Sequence, residues 1–488
     1  MFSFVIIWIG QIFSLLGTSM TGFAMTIWAY EKADATGADA ATALALVGFF
    51  FVAPMLIASP FAGAIVDRSN RKLMMMLSDM ASGIATLIIL LLHASGELEI
   101  WHLYITGAFQ GIFQSFQWPA YSATISTMIP KEQYGRANGM LSLAENGSNI
   151  FAPVLAGALL GIIGVGGILG IDLVTLSIAI SALLFVHIPQ PKKTVEGQKG
   201  RGNLLTEAAY GFRYILSRPP LLALQLVFMT GNFLVGVPHA VLAAMILANT
   251  GSDEKVLAVV NSVGAVGGVL GGLAMSAWGG PKRRVHGVLG GWFVSSLLGI
   301  VLMGLGRSVP VWATAAFFGV FFVPIINGSN QAIWQAKVPP DLQGRVFSIR
   351  RLIAWFVSPA AMLVAGPLAD RLMEPAMQDP SSLIAITFGW LVGTGQGRGM
   401  ALMFIMGGLA AACVVLGGYA FRILRRAEDL LPDHDTLAAA SAADRTTRLQ
   451  ELLEVRQQLI SQPKSTEREL SLKAITNELR KLGQERAG

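Results

Sequence analysis

The sequence predicts an all-α membrane protein: twelve transmembrane helices in two six-helix halves, with a helical cytoplasmic C-terminal tail. Three observations predict it. Hydrophobic residues make up 53% of the 488 positions and charged residues 13%, against roughly 25% charged in a soluble domain. Uncharged runs of about 20 residues, the length a helix needs to cross a bilayer, recur along the chain. The basic residues gather in alternate breaks between those runs, which sets one orientation.

In order, the apolar runs fall at 4–30, 41–66, 73–93, 101–128, 138–163, 167–187, 220–248, 256–278, 286–306, 310–335, 352–369 and 399–423. The shortest and least charged breaks are 164–167 and 307–310. The first run starts without a preceding basic residue or small-residue cleavage site and is too long for a signal peptide, so it reads as a mature first helix. An even number of spans puts both termini on one side. The breaks on that side carry Arg68, Arg71, Lys72, Lys131, Arg136, Lys282, Arg283, Arg284, Lys337, Arg345, Arg350 and Arg351. The opposite breaks offer Lys32, Lys255, Arg307, Arg371 and Arg398 beside Glu31, Asp34, Asp39, Glu97, Glu99, Asp253 and Glu254. The positive-inside rule then places both termini in the cytoplasm.

Four segments follow: a six-helix half at 1–188, a cytoplasmic linker at 189–219, a second six-helix half at 220–426 and a tail at 427–488. The linker opens Pro-Gln-Pro-Lys-Lys and then, over Leu204 to Leu216, spaces Leu204, Ala208, Phe212 and Ile215 as an amphipathic helix, expected on the inner membrane surface. An internal repeat supports the division. Ile129-Pro130-Lys131-Glu132-Gln133-Tyr134-Gly135-Arg136 and Val338-Pro339-Pro340-Asp341-Leu342-Gln343-Gly344-Arg345 follow the fourth and tenth runs. Two halves related in this way match transporters whose substrate site lies between them near the bilayer midplane. In the tail, Leu449, Leu452, Leu453, Leu459 and Ile460, then Leu470, Leu472, Ile475, Leu479 and Leu482, read as two amphipathic helices that self-associate, bind a partner or serve as a solubilising extension.

Other classes have little support. The net charge of +6 sits in short breaks between apolar runs rather than in a polyanion site, so no nucleic-acid partner is expected. Cys413 is the sole cysteine, which excludes an intrachain disulfide or thiolate metal site. The run Gly393 to Gly399 lacks the Gly-Lys-Ser/Thr ending of a phosphate loop; with Pro375 and Pro380 it reads as a flexible or re-entrant outer loop. No metal, cofactor or enzymatic activity is expected.

The stretch Gly63-Ala-Ile-Val-Asp67-Arg68-Ser-Asn70-Arg71-Lys72 joins the second and third runs by a short charged turn. Its pattern, Gly-x-x-x-Asp-Arg-x-x-Arg-Lys, resembles the signature between the second and third transmembrane helices of the major facilitator superfamily. Ile7-Trp8-Ile9-Gly10-Gln11 and Ile171-Asp172 resemble, more narrowly, the drug-exporter branch that includes macrolide efflux proteins and a siderophore exporter. The resemblance covers most of residues 1–426. It implies that the turn latches the cytoplasmic side, stabilising the outward-open state. Asp67 can accept hydrogen bonds from the N–H groups at a neighbouring helix end, and Arg68 or Arg71 can pair with a carboxylate such as Asp79. Asn70 stands where the family often has Gly and also tolerates left-handed backbone. A second turn, Gly279-Gly280-Pro281-Lys282-Arg283-Arg284, keeps the bases and lacks the acid.

Within the spans, Glu145 and Asp172 are candidates for proton coupling, because charge in the bilayer is costly and marks function by default. Structural carboxylates tied to amide or hydroxyl neighbours, such as Asn149 beside Glu145, are the alternative. Gln110, Gln114 and Gln117 share a face of the fourth span near Phe113 and Trp118. With Asn146, Asn149, Asn327, Asn330, Gln331 and Trp334 they form a candidate substrate cavity; interhelical hydrogen bonding is equally consistent. The chain departs from related antiporters at Gln110, where they carry an arginine implicated in proton transfer. His239 reads as a packing histidine. The resemblance implies a monomeric inner (plasma) membrane exporter of amphipathic small molecules such as macrolides, driven by the proton gradient. Siderophore or lysolipid export, or a transporter-like sensor or scaffold, are the alternatives.

Overall fold

The computed structural model describes residues 2–36, 40–191, 202–251, 253–436 and 450–457. No strand occurs among the described residues. In a bilayer every backbone N–H and C=O must find its partner inside the protein, and a helix does this within one segment. Nine helices among the described residues are long and apolar enough to cross a membrane by length and composition.

The first half comprises α1 (Phe2–Thr36), α2 (Ala40–Arg68), α3 (Arg71–Ala94), α4 (Ile100–Met128) and α5 (Tyr134–Phe185). Helix α5 holds two of the expected runs. Gly164, at φ 66° and ψ −177°, interrupts its helical path within the faint break expected there, in a backbone region that residues with a Cβ rarely enter. After the linker helix α6 (Leu204–Leu216) come α7 (Pro219–Ala240), α8 (Leu242–Thr250), α9 (Glu254–Trp278) and α10 (Arg284–Val294). A π-helical segment, Ser295–Val301, leads from α10 into α11 (Leu302–Leu305), followed by α12 (Val309–Lys337) and α13 (Gln343–Leu368). Helices α14 (Glu374–Gln378), α15 (Leu383–Val392), α16 (Arg398–Ala420), α17 (Arg422–Arg425) and α18 (Ala427–Leu430) complete the described order.

Within the first half α1 packs along α5 and α2 along α4; within the second, α9 and α10 pack on α12, and α7 on α13 and α16. The halves meet where α2 lies on α13 and α5 on α9 and α12. The repeated loops fold alike: each forms one 3-10 turn, Lys131–Gln133 or Pro340–Leu342, and passes straight into a long helix. Arg345, Arg350 and Arg351, expected in a polar break, lie inside α13, because that helix begins nine residues before the apolar run does.

The linker helix matches the expected bounds, but its buried face differs from expectation. Glu207, Gly211, Tyr214 and Ile215 are buried against α2 and α13, whereas Leu205, Phe212 and Leu216 are exposed. Of the residues spaced as its apolar face, Phe212 is exposed and Ile215 is buried, while a carboxylate and a glycine mark the protein-facing side.

The segment 373–399 is not a flexible loop. Helices α14 and α15 fold back over the end of α16, and the Glu374 carboxylate accepts hydrogen bonds from Gly397 N (2.9 Å) and Met400 N (2.8 Å). Those amides sit at the start of α16 and have no acceptor within the helix. Helix α15 is apolar but only ten residues long, too short to span. Of the two tail helices expected, only 450–457 lies among the described residues, where it is helical; the remainder lies outside them.

Glu374→Ala removes both acceptors. The expected result is a loss of about 1–2 kcal/mol, read as a lowered melting midpoint of the detergent-purified protein. Glu374→Gln, which keeps one carbonyl acceptor, should lose less.

Candidate functional site

At the end of α2 that meets α13, the Asp67 side chain is withdrawn from solvent. One carboxylate oxygen accepts from Gly344 N at 2.7 Å and the other from Arg345 N at 2.9 Å. These are first-turn amides of α13, where free N–H groups and the helix dipole favour an anion. The Arg345 Nε lies 3.5 Å from Asp67 and 3.8 Å from Glu207. The backbones come equally close. A Cβ on Gly63 would run into the Gly344 carbonyl and the Ser348 hydroxyl, and a Cβ on Gly344 would meet the Asp67 carboxylate and the Gly63 carbonyl.

The bases of the turn divide their work. Arg71 is fully buried, and donates to Ala123 O at 2.6 Å within its own half and to Pro340 O in the other. Arg68 donates to Glu207 at 2.9 and 2.7 Å and to Gly202 O at 2.5 Å. Lys72 donates to Leu184 O (2.9 Å) and Val186 O (3.0 Å), satisfying the end of α5. Asn70 is extended (φ −68°) and its side chain caps α3, accepting from Lys72 N and Leu73 N; no left-handed backbone is needed there.

Asp79 is not the partner of either arginine. It accepts from Gln11 (2.9 Å) and Gln117 (3.1 Å), a cluster wholly inside the first half. Two helical turns along α3, Asp79 meets the amides of α1 and α4 instead of the turn. The carboxylate that meets Arg68 is Glu207 on α6, which sequence reasoning missed; its only signal was an acid in the first turn of an amphipathic helix. Burial works against the Glu207 charge, but hydrogen bonds from Arg68 and Gly202 N, with Arg345 nearby, hold its carboxyl below the usual range.

The second turn repeats half of this. Arg284 donates to Ala332 O at 3.1 Å and to Lys131 O across the halves, as Arg71 does to Ala123 O and Pro340 O. Gly135 lies against the Gly279 carbonyl, as Gly344 lies against Gly63. No carboxylate stands in this turn at the place of Asp67.

The expected cavity residues separate into three groups. Asn146, Asn149 and Asn327 line a cavity of about 570 Å³ together with Asn232, His239, Asn261, Trp292 and Ser295, mostly within the second half. His239 is exposed to that space rather than packed away, because it lies next to the break between α7 and α8. Among the described residues, no Asp, Glu, Lys or Arg lines the cavity. Asn330, Gln331 and Trp334 lie instead in the packed region between the halves. Gln331 donates to the Ser122 hydroxyl, and Trp334 donates to Asn330 at 3.0 Å. Gln335 and Asn138 add bonds there, at 2.9 Å to Ser122 O and 2.8 Å to Gln335. Gln117 belongs to the Asp79 cluster, Trp118 stacks beneath Arg351, and Gln110, Phe113 and Gln114 are absent from the cavity wall. Amides at i, i+4 and i+7 share a helix face, but the helix rotation that aims that face is set by packing.

The two acids expected as coupling candidates differ. Asp172 is fully buried and accepts from Thr18 (3.1 Å) and Thr86 (2.9 Å), tying three helical segments of one half together. Glu145 is exposed to the space between the halves and interacts electrostatically with Arg351 across it. Arg350 lies over the rings of Trp334 (5.3 Å) and Phe347 (5.8 Å).

Comparisons with known proteins agree on one family. The family model described as "Major Facilitator Superfamily" matches residues 7–362. The chain is 26% identical over 380 residues to macrolide efflux protein A of Streptococcus pyogenes, covering 76% of this chain and 90% of that one. It is 24% identical over 365 residues to the multidrug efflux pump Tap of Mycolicibacterium fortuitum, covering 72% and 87%. Among solved structures, a bacterial homologue of the iron transporter ferroportin in an outward-facing state superposes with a TM-score of 0.61. That match covers 85% of this chain and 98% of the other at 16% identity. With the family model matching most of the chain, this protein belongs to the Major Facilitator Superfamily.

Proposed function

We propose that this chain is a twelve-span secondary transporter of the bacterial plasma membrane, with both termini cytoplasmic, that exports amphipathic small molecules by alternating access. The observation that carries this reading is the Asp67 carboxylate of one half seated on the first amides of α13 in the other. A contact of this kind closes one end of the molecule and has to be broken for that end to open. Gly63, Asp67, Arg68, Arg71 and Lys72 are the latch. Glu207 and Arg345 belong to it, and Asp79 does not.

The names of the efflux relatives support drug-like cargo, macrolides first. The cavity supports a ligand held by hydrogen bonds and apolar contact: asparagines with donors and acceptors line it with Trp292 and Phe404, without a fixed charge among the described residues of the wall. Burying an uncompensated charge there would cost several kcal/mol. Energy comes from a proton gradient, with Glu145 as the coupling group. It is the acid that faces the space between the halves, and Arg351 opposite it can exchange its partner as the halves move. Asp172, held by threonine hydroxyls inside one half, serves structure.

Four outcomes are expected in inverted vesicles with an imposed pH gradient and a panel of macrolides. The unaltered protein accumulates at least one of them, and a panel without any accumulation would remove the exporter reading. Asp67→Asn lowers transport on the order of tenfold with unchanged membrane insertion, because the amide loses the charge that two N–H donors face. Glu145→Gln abolishes gradient-driven accumulation and leaves downhill exchange of cargo; retained accumulation would exclude Glu145 from coupling. Asp172→Asn keeps the gradient dependence and lowers the yield of folded protein.

A further inference from the structure

The chain beyond α16 returns to the end of the molecule where the two turns lie. Leu424 and Ala427 are buried, at 4% and 2% exposed. The Glu428 carboxylate then accepts from Val285 N at 3.0 Å, at the start of α10, and Asp429 lies 3.7 Å from Arg283. Asp433 follows, with one carboxylate oxygen 2.8 Å from Lys337 and the other 3.2 Å from Lys131. Asp435 joins Lys131 at 2.8 Å. Lys337 also donates to the Glu428 and Leu431 carbonyls.

Lys131 belongs to the loop before α5 in the first half, and Lys337 ends α12 in the second. One carboxylate therefore binds both halves at once. This happens beside the second turn, the one without its own acid, where Arg284 reaches across the halves unaided by a motif carboxylate. We propose that the C-terminal segment Arg422–Asp435 is a strap that fastens the two halves at the closed end, supplying through Asp433 the cross-half carboxylate that the second turn lacks. The strap has to release at least one lysine whenever that end opens, so it weights the equilibrium toward the closed form. Although burial opposes the Asp433 charge, Lys337 and Lys131 hold its carboxyl below the ordinary range.

The proposal rests on the alternating-access reading, and its test separates the two. The reporter is Ser348→Cys in full-length protein carrying Cys413→Ser. Ser348 is fully buried between the halves, so a water-soluble maleimide reaches it only when they part. Asp433→Asn should raise the labelling rate about fivefold, the size of a partly exposed ion pair of about 1 kcal/mol. Lys131→Gln, which also loses Asp435, should raise it at least as much, and adding it to Asp433→Asn should give less than the product of the two effects, since the Lys131–Asp433 contact is shared. If Ser348→Cys does not fold, Ser59→Cys, buried on α2 at the same contact, serves instead. Labelling raised by Asp67→Asn but not by Asp433→Asn would overturn the strap alone. Labelling raised by neither would overturn the opening motion and the transport reading with it.

Discussion

The closed end depends on one hydrogen-bonded anion. The α13 start has amides without acceptors, and the α2 end has a carboxylate that no solvent reaches. Each is costly alone in a low-dielectric setting and acceptable only against the other. The same holds around them: Arg71, Arg345 and Glu207 are all buried at this contact. Removing one charged partner from such a cluster leaves the rest uncompensated, so the cluster is stable whole or dispersed and poorly stable between. In the proposed transport cycle, that favours two states of this end over a continuum.

The rest of the interface follows from this closure. With the helix ends held, the amides Asn138, Gln331 and Gln335 and the hydroxyl of Ser122 meet between the halves. Further in, the packing loosens into a cavity with no charged side chain among the described residues of its wall. The charges of the interior, Glu145, Arg350 and Arg351, stand outside its wall. In the proposed function, binding and coupling then fall to neighbouring but separate groups, so a change of cargo chemistry need not disturb the coupling charge.

The periodicity of the chain carried the helices, including the faint break at Gly164 and the bounds of the linker helix, because length and apolarity dominate when the solvent is lipid. The turn at 63–72 was legible for the same local reason: its bases and acid are adjacent in sequence. What sequence could not carry was partnership at a distance. Glu207 and Arg68 are 139 residues apart, and nothing local distinguishes Glu207 from Asp79 as the acid that meets the turn. The fourth-span glutamines failed likewise. Their shared face was correct, and the direction of that face is a property of neighbouring helices. Arg350 and Arg351 were read as a loop because apolarity marks the lipid-contacting stretch of a helix, and α13 begins before that stretch.

The reciprocal contact of Gly63 and Gly344 has a mechanical consequence. The two backbones meet with no room for a single added carbon on either side. A methyl group at either position would act as a shim, wedging the joint ajar by its own thickness however strong the charges around it remained. The tolerance of the whole machine at this point is thus smaller than one atom, and two hydrogen atoms are the gauge that sets it.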